Sequence, residues 1–142
     1  MNTIFIDTNV FVRFFVATDK NQHVESKALF TFIESGHIRP YTSTLVLLEC
    51  YYVLSSIYKM PRKTIQNLFD YIIAIRNLTI VETTYLNEAL TLWKQTGIKF
   101  TDCLIATQIP KGVGLCTYDM EFKKIPNFVI VSPSQIVKRS VA

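Results

Sequence analysis

The chain has 142 residues, 49% of them hydrophobic, enough for one buried core and too few for two, so residues 1–142 are expected to form a single domain. A net charge of +4 and a pI near 9.0 lean mildly toward a polyanionic partner. The hydrophobic content and a mean hydropathy of +0.25 point to apolar surface covered by a partner, against the alternative of a well-filled core.

Short β-branched runs alternate with longer segments of helical period, the pattern of a parallel sheet wrapped by helices. A first strand is predicted from Thr3 to Asp7, followed by helices from about Asn9 to Ala17 and from about Val24 to Gly36, the glycine serving as a C-cap. His37 to Thr42 forms a weak strand; Ser43 then caps a long helix to about Tyr58, and Pro61 starts another that runs to about Asn77. Leu78 to Glu82 reads as a strand and Tyr85 to Thr96 as a helix stopped by Gly97. A short helix opens at Thr101-Asp102 and ends at Pro110. Val113 to Tyr118 is a strand, Glu121 to Lys124 a turn of helix, Phe128 to Val131 a last strand, and Ser132-Pro133 opens a terminal helix. Repeats and low-complexity tracts are absent from this pattern.

Membrane and secretory classes fit poorly. Met1 to Asp7 carries no basic region ahead of its short apolar run. The longest apolar stretch, Leu45 to Leu54, is broken by Glu49 and falls short of the roughly 20 residues that span a bilayer. The chain is therefore expected in the cytoplasm. Cys50, Cys103 and Cys116 are odd in number, lie in apolar runs and lack zinc-ligand spacing, so they are expected to be buried reduced thiols.

The chemistry is carried by carboxylates. Asp7 ends the strand Thr3-Ile4-Phe5-Ile6, Glu49 interrupts Leu45-Val46-Leu47-Leu48, Asp102 precedes Cys103-Leu104-Ile105-Ala106, and Asp119 closes Gly114-Leu115-Cys116-Thr117-Tyr118. Each has a local explanation: Asp7 as a helix cap, Asp102 as a first-turn complement to the helix dipole, Asp119 as an Asx-turn, and Glu49 as half of an ion pair. Glu49 is the hardest to explain this way, because its neighbours at helical spacing, Leu45, Val46, Tyr52 and Val53, cannot neutralise it. Ligands of open parallel sheets bind beyond the carboxyl ends of the strands, where Asp7 and Asp119 fall. Acids converging there would repel one another unless a cation intervened. A carboxylate site without His or Cys suits Mg2+ or Mn2+, and His23 and His37 have no partner at ligand spacing. The expectation is a hydrolase using divalent cations, with phosphodiesters as substrate.

Ile6-Asp7-Thr8-Asn9, Leu48-Glu49, Thr101-Asp102-Cys103-Leu104-Ile105-Ala106 and Thr117-Tyr118-Asp119 resemble, in order and spacing, the motifs of PIN-domain nucleases across almost the whole chain. Within that family the chain is most similar to the VapC-type toxins of toxin–antitoxin modules. The resemblance implies a three-layer α/β/α sandwich with a central five-stranded parallel sheet, and Mg2+- or Mn2+-dependent endoribonuclease activity. It makes Asp7, Glu49, Asp102 and Asp119 the catalytic, metal-holding acids, Thr117 a supporting hydroxyl, and Thr8 and Asn9 supports of the turn after the first acid. Water would attack a backbone phosphorus in line, with no covalent enzyme intermediate. Cys103, where Ala is frequent, and Cys50-Tyr51-Tyr52, in place of a more aliphatic stretch, depart from the pattern without removing an acid.

Similar toxins are homodimers that bind an antitoxin, and Tyr51, Tyr52 and Tyr58 with Leu68, Phe69, Ile72 and Ile73 are candidates for apolar contact, core packing being the alternative. Arg13, Lys99, Lys123 and Lys124 come soon after site elements and could hold RNA phosphates. Competing functions are a PIN nuclease of RNA processing or DNA metabolism, which usually carries long insertions, and a non-catalytic PIN module binding RNA or protein. Clustered negative charge would bring nothing to a pure RNA-binding surface. A phosphoaspartate enzyme is disfavoured because Asp7-Thr8-Asn9 lacks a second aspartate two residues on.

Overall fold

Five parallel strands, β1 (Thr3–Ile6), β2 (Arg39–Ser43), β3 (Thr79–Val81), β4 (Gly114–Cys116) and β5 (Ile130–Val131), form one sheet in the order β3-β2-β1-β4-β5. This computed structural model describes residues 2–141; Met1 and Ala142, which the single-domain expectation includes, lie outside the described residues. β1 is central because Ile4, Phe5 and Ile6 are all buried, as a strand covered on both faces requires. Pro40 lies in β2, an interior strand, but pairing with β3 starts one residue later, at Tyr41–Thr79, so the missing N–H falls ahead of that ladder.

The helices are α1 (Thr8–Phe15), α2 (Lys20–Glu34), α3 (Thr44–Tyr52), α4 (Arg62–Ile73), α5 (Leu86–Thr96), α6 (Phe100–Gln108) and α7 (Pro133–Val141). The strand order grows outward from β1 in both directions, and right-handed crossovers then lay helices on both faces, giving the three-layer sandwich. α2 packs on α1 and α7, α5 on α6, and α3 touches both α1 and α6 at the carboxyl edge. Phe11 of α1 stacks on Phe30 of α2 and Phe14 packs against it tilted, at centroid distances of 5.6 and 4.5 Å, anchoring that layer. Among the described residues no helix is long and apolar enough to cross a membrane.

Cap chemistry explains most boundaries. The Ser43 hydroxyl accepts from Val46 N at 3.2 Å to start α3. Gly97 ends α5 at φ +70° and Gly36 succeeds α2 at φ +88°, both left-handed positions that suit glycine. Three boundaries differ from the sequence expectation by more than two residues. α2 starts at Lys20 rather than Val24, because the Asp19 side chain accepts from Gln22 N at 3.0 Å and supports a polar first turn that apolar periodicity does not register. α4 stops at Ile73, and Asn77 takes φ +62° to turn the chain into β3. The expected single helix from Ser43 to Tyr58 is instead α3 continued by a π-helical turn over Val53–Ile57, closed by Tyr58 N donating to Val53 O at 3.2 Å. A 3-10 turn, Met120–Lys124, comes after β4.

Candidate active site

The strand order reverses between β1 and β4, and the carboxyl ends of those neighbours open a crevice. The ladder continues one residue past each strand: Asp7 N donates to Cys116 O and Thr117 N to Val131 O, both at 3.0 Å. Asp7 and Thr117 are thereby fixed side by side at the rim. Asp7 holds the N-cap position of α1 by backbone geometry, yet its side chain makes no capping hydrogen bond. Its Oδ2 accepts instead from Thr117 Oγ1 at 2.8 Å and from Asn9 Nδ2 at 3.3 Å.

Thr117 is fully buried, and its hydroxyl is saturated: it donates to Asp7 and accepts from Asn9 Nδ2 at 3.1 Å and Asp119 N at 2.9 Å. Asn9 Oδ1 accepts from Tyr118 N at 3.1 Å. Asn9 and Thr117 therefore clip the turn after β1 to the turn after β4. Asp7 is 4% exposed, and burial pushes its carboxyl up to about 7, against the hydrogen bonds from Thr117 and the Thr8 backbone and with added repulsion from Glu49 and Asp102.

Glu49 comes from α3, and its Oε1 accepts from the Thr8 hydroxyl at 2.7 Å. It is half-buried rather than sealed in a dry core. Of the apolar neighbours that made it stand out in the sequence, Val46 is buried, Leu45 and Val53 are half-buried and Tyr52 is 64% exposed; Tyr52 and the adjacent Leu48, 63% exposed, form an apolar surface beside Glu49. Asp102 lies in the first turn of α6 and is buried; burial, then Glu49 and Asp119, push it up to about 6 while Lys99 opposes. The Asp119 side chain accepts from Glu121 N at 2.9 Å, so the turn reading of this residue is physically present as well.

All four acids line one cavity of about 220 Å3, together with Thr8, Asn9, Arg13 and Lys99. Among the described residues none of the four is in an ion pair; the pair present is Lys124–Glu121 at 2.7 Å on the exposed 3-10 turn. Lys123 and Lys124 are not on the cavity wall. Val12, Val53 and Tyr58 are, and sequence reasoning assigned none of them to the site. Val12 was findable, standing four residues after Thr8 on the same helix face; Tyr58 was not, because its placement depends on the π turn. Of the candidate apolar contacts, Tyr51, Tyr52 and Ile73 are exposed, whereas Ile72 is core.

A hard cation fits this donor set: carboxylate oxygens without His or Cys, two of them, Asp7 and Asp102, raised by burial and mutual repulsion that a cation would relieve. Among the described residues no three such groups stand close enough to hold one ion. Joint coordination therefore needs side-chain rotation, for which half-buried Glu49 and Asp119 have room.

The PIN domain family model matches residues 4–127, on both sides of the crevice. The chain belongs to the PIN-domain family. PIN domains are generally nucleases and typically use divalent metal ions. This PIN domain shares its fold with VapBC2 from Rickettsia felis, solved bound to a DNA fragment from their promoter: TM-score 0.66, 24% identity, 92% of this chain and 98% of that chain covered. It also shares it with PAE2754 from Pyrobaculum aerophilum at TM-score 0.67 and 14% identity, over 98% of this chain and 89% of that one. No curated protein matches it in sequence.

Proposed function

We propose that this PIN domain, acting as one domain, is a metal-dependent endoribonuclease and the toxin of a VapBC-type toxin–antitoxin pair. The observation that carries the nuclease reading is the convergence of Asp7, Glu49, Asp102 and Asp119 on one cleft at the strand-order reversal, with no ion pair to any of them among the described residues. These acids would hold Mg2+ or Mn2+, which supplies charge to orient a phosphate, activate water and stabilise the leaving oxygen. Thr117 and Asn9 fix Asp7, whereas Glu49, hydrogen-bonded to Thr8, and Asp119 would rotate to join it on the cation. Arg13 and Lys99 on the cavity wall offer positive charge to the RNA backbone, in keeping with the net charge of +4.

The toxin reading rests on the fold shared with a VapBC2 assembly and on the exposed apolar side chains of Leu48, Tyr51 and Tyr52, which share a groove with Glu49. Such a surface suits an antitoxin and a second copy of the chain, in the cytoplasm. The test is RNA cleavage by purified protein in Mg2+, in Mn2+ and in EDTA, with Asp7→Asn and Asp102→Asn alongside. Cleavage in either metal, lost in EDTA and in both folded variants, is expected; undiminished cleavage by both variants would sink the mechanism.

A further inference from the structure

Arg13 lines the acidic cleft, yet among the described residues it forms no ion pair with any of its acids. Neutral acceptors orient its guanidinium instead: Nε donates to Gln22 Oε1 at 2.8 Å and Nη1 to Thr18 Oγ1 at 3.3 Å. Such acceptors fix the planar fork without cancelling its charge, which stays available to an anionic ligand. Beside it stands Tyr58, half-buried on the same cavity wall, with its hydroxyl 3.5 Å from the same Thr18 hydroxyl.

The π turn sets that position. Tyr58 N–H reaches Val53 O, Met60 N–H reaches Leu54 O at 3.0 Å, and Lys59 between them takes φ +54°. One additional residue in a turn rotates the succeeding side chains by about 100° relative to a continuous α-helix. Tyr58 is thus carried to the cleft wall on a hydrogen-bonded corner.

We infer that Tyr58 and Arg13 form a strand-binding subsite beside the acids, the ring stacking on an unpaired base and the guanidinium taking the adjacent phosphate. The inference rests on the ribonuclease reading and adds to it the side chains that grip the strand, which act on unpaired segments because a base inside a duplex has no free face to offer the ring.

The test is binding of a labelled single-stranded RNA, and of a duplex of the same sequence, to the full chain with Ca2+ in place of Mg2+. Tyr58→Leu is expected to weaken single-strand binding about tenfold, the scale of one base–aromatic stack, and duplex binding by less than about twofold, with Tyr58→Phe recovering most of the loss. Arg13→Gln is expected to lower the slope of log affinity against log salt by about 0.7, as one lost phosphate contact on a single strand does. Tyr85→Leu, exposed and off the cleft wall, serves as control. Unchanged single-strand binding in Tyr58→Leu, equal losses on single strand and duplex, or an unchanged salt slope in Arg13→Gln overturns the subsite. Should Tyr58→Leu melt early, the Arg13→Gln slope decides. Wild-type protein that binds single strands through these residues but cleaves no RNA in Mg2+ or Mn2+ overturns the ribonuclease reading and leaves the subsite standing.

Discussion

Replacing Asp7 by Asn should make the metal-free protein more stable. Burial carries this carboxyl from 3.8 to about 7. The folded state therefore keeps the proton through a window in which the unfolded chain has lost it. Stability from this group is fully present below the unfolded value and is lost as pH rises through about 7. Above that window the ionised carboxylate costs about 4 kcal/mol, at 1.36 kcal/mol per unit, and at pH 5 roughly a third of that. Asn has no proton to lose and still accepts from the Thr117 hydroxyl, whose stronger bond to the charged form is already contained in the raised value, but the amide N–H2 it buries costs about 1–2 kcal/mol of desolvation. The net gain at pH 8 is then about 2–3 kcal/mol, a rise in Tm of roughly 5–10 °C for a chain of this size. Thermal unfolding monitored by circular dichroism in EDTA, at pH 5 and pH 8, reads it directly. An Asn variant no more stable than wild type at pH 8, or equally stabilised at both pH values, refutes the reasoning.

Other substitutions probe the parts around that carboxylate. Thr117→Val leaves Asp7, Asn9 and Asp119 without the hydroxyl they share. A loss of about 1–3 kcal/mol at pH 8 is expected, with the fall of stability against pH displaced upward because Asp7 is less well held; wild-type stability and an unmoved midpoint would contradict it. Phe30→Ala empties the contact that joins α1 to α2, and denaturant unfolding should show a loss of about 3–5 kcal/mol. A loss under about 1 kcal/mol would mean the layer is anchored elsewhere.

Legibility in the sequence depends on how local the physics is. Ser43, Gly36 and Gly97 announced helix ends because a cap is decided by one residue and its own turn. β1 and its terminal acid were legible because Thr3-Ile4-Phe5-Ile6 is a short, β-branched apolar run of the kind a strand covered on both faces carries. The start of α2 escaped because Lys20-Asn21-Gln22-His23 is polar and rests on the Asp19 cap instead. The π turn escaped because Val53-Leu54-Ser55-Ser56-Ile57 has a composition that suits an α-helix equally well.

The site was legible as a set of acids and less so as an arrangement. Helical spacing named Leu45, Val46, Tyr52 and Val53 around Glu49 but could not say that Val46 is buried while Tyr52 faces outward, so it could not place Glu49 at the border between core and surface. Thr117 and Asp7 are 110 residues apart, and no local pattern states that one hydroxyl serves Asp7, Asn9 and Asp119 together. Lys123 and Lys124 come soon after Asp119 in the chain, but the 3-10 turn that Asp119 caps holds them off the cavity wall.

Mn2+ titration monitored by electron paramagnetic resonance tests most directly whether the four carboxylates make one cation site. Wild-type protein should take up Mn2+ in competition with Mg2+, and Asp102→Asn, folded by its thermal melt, should bind it at least about tenfold more weakly. Equal Mn2+ affinity in the two proteins, or no uptake by wild type at millimolar Mn2+, would contradict a shared site built from Asp7, Glu49, Asp102 and Asp119.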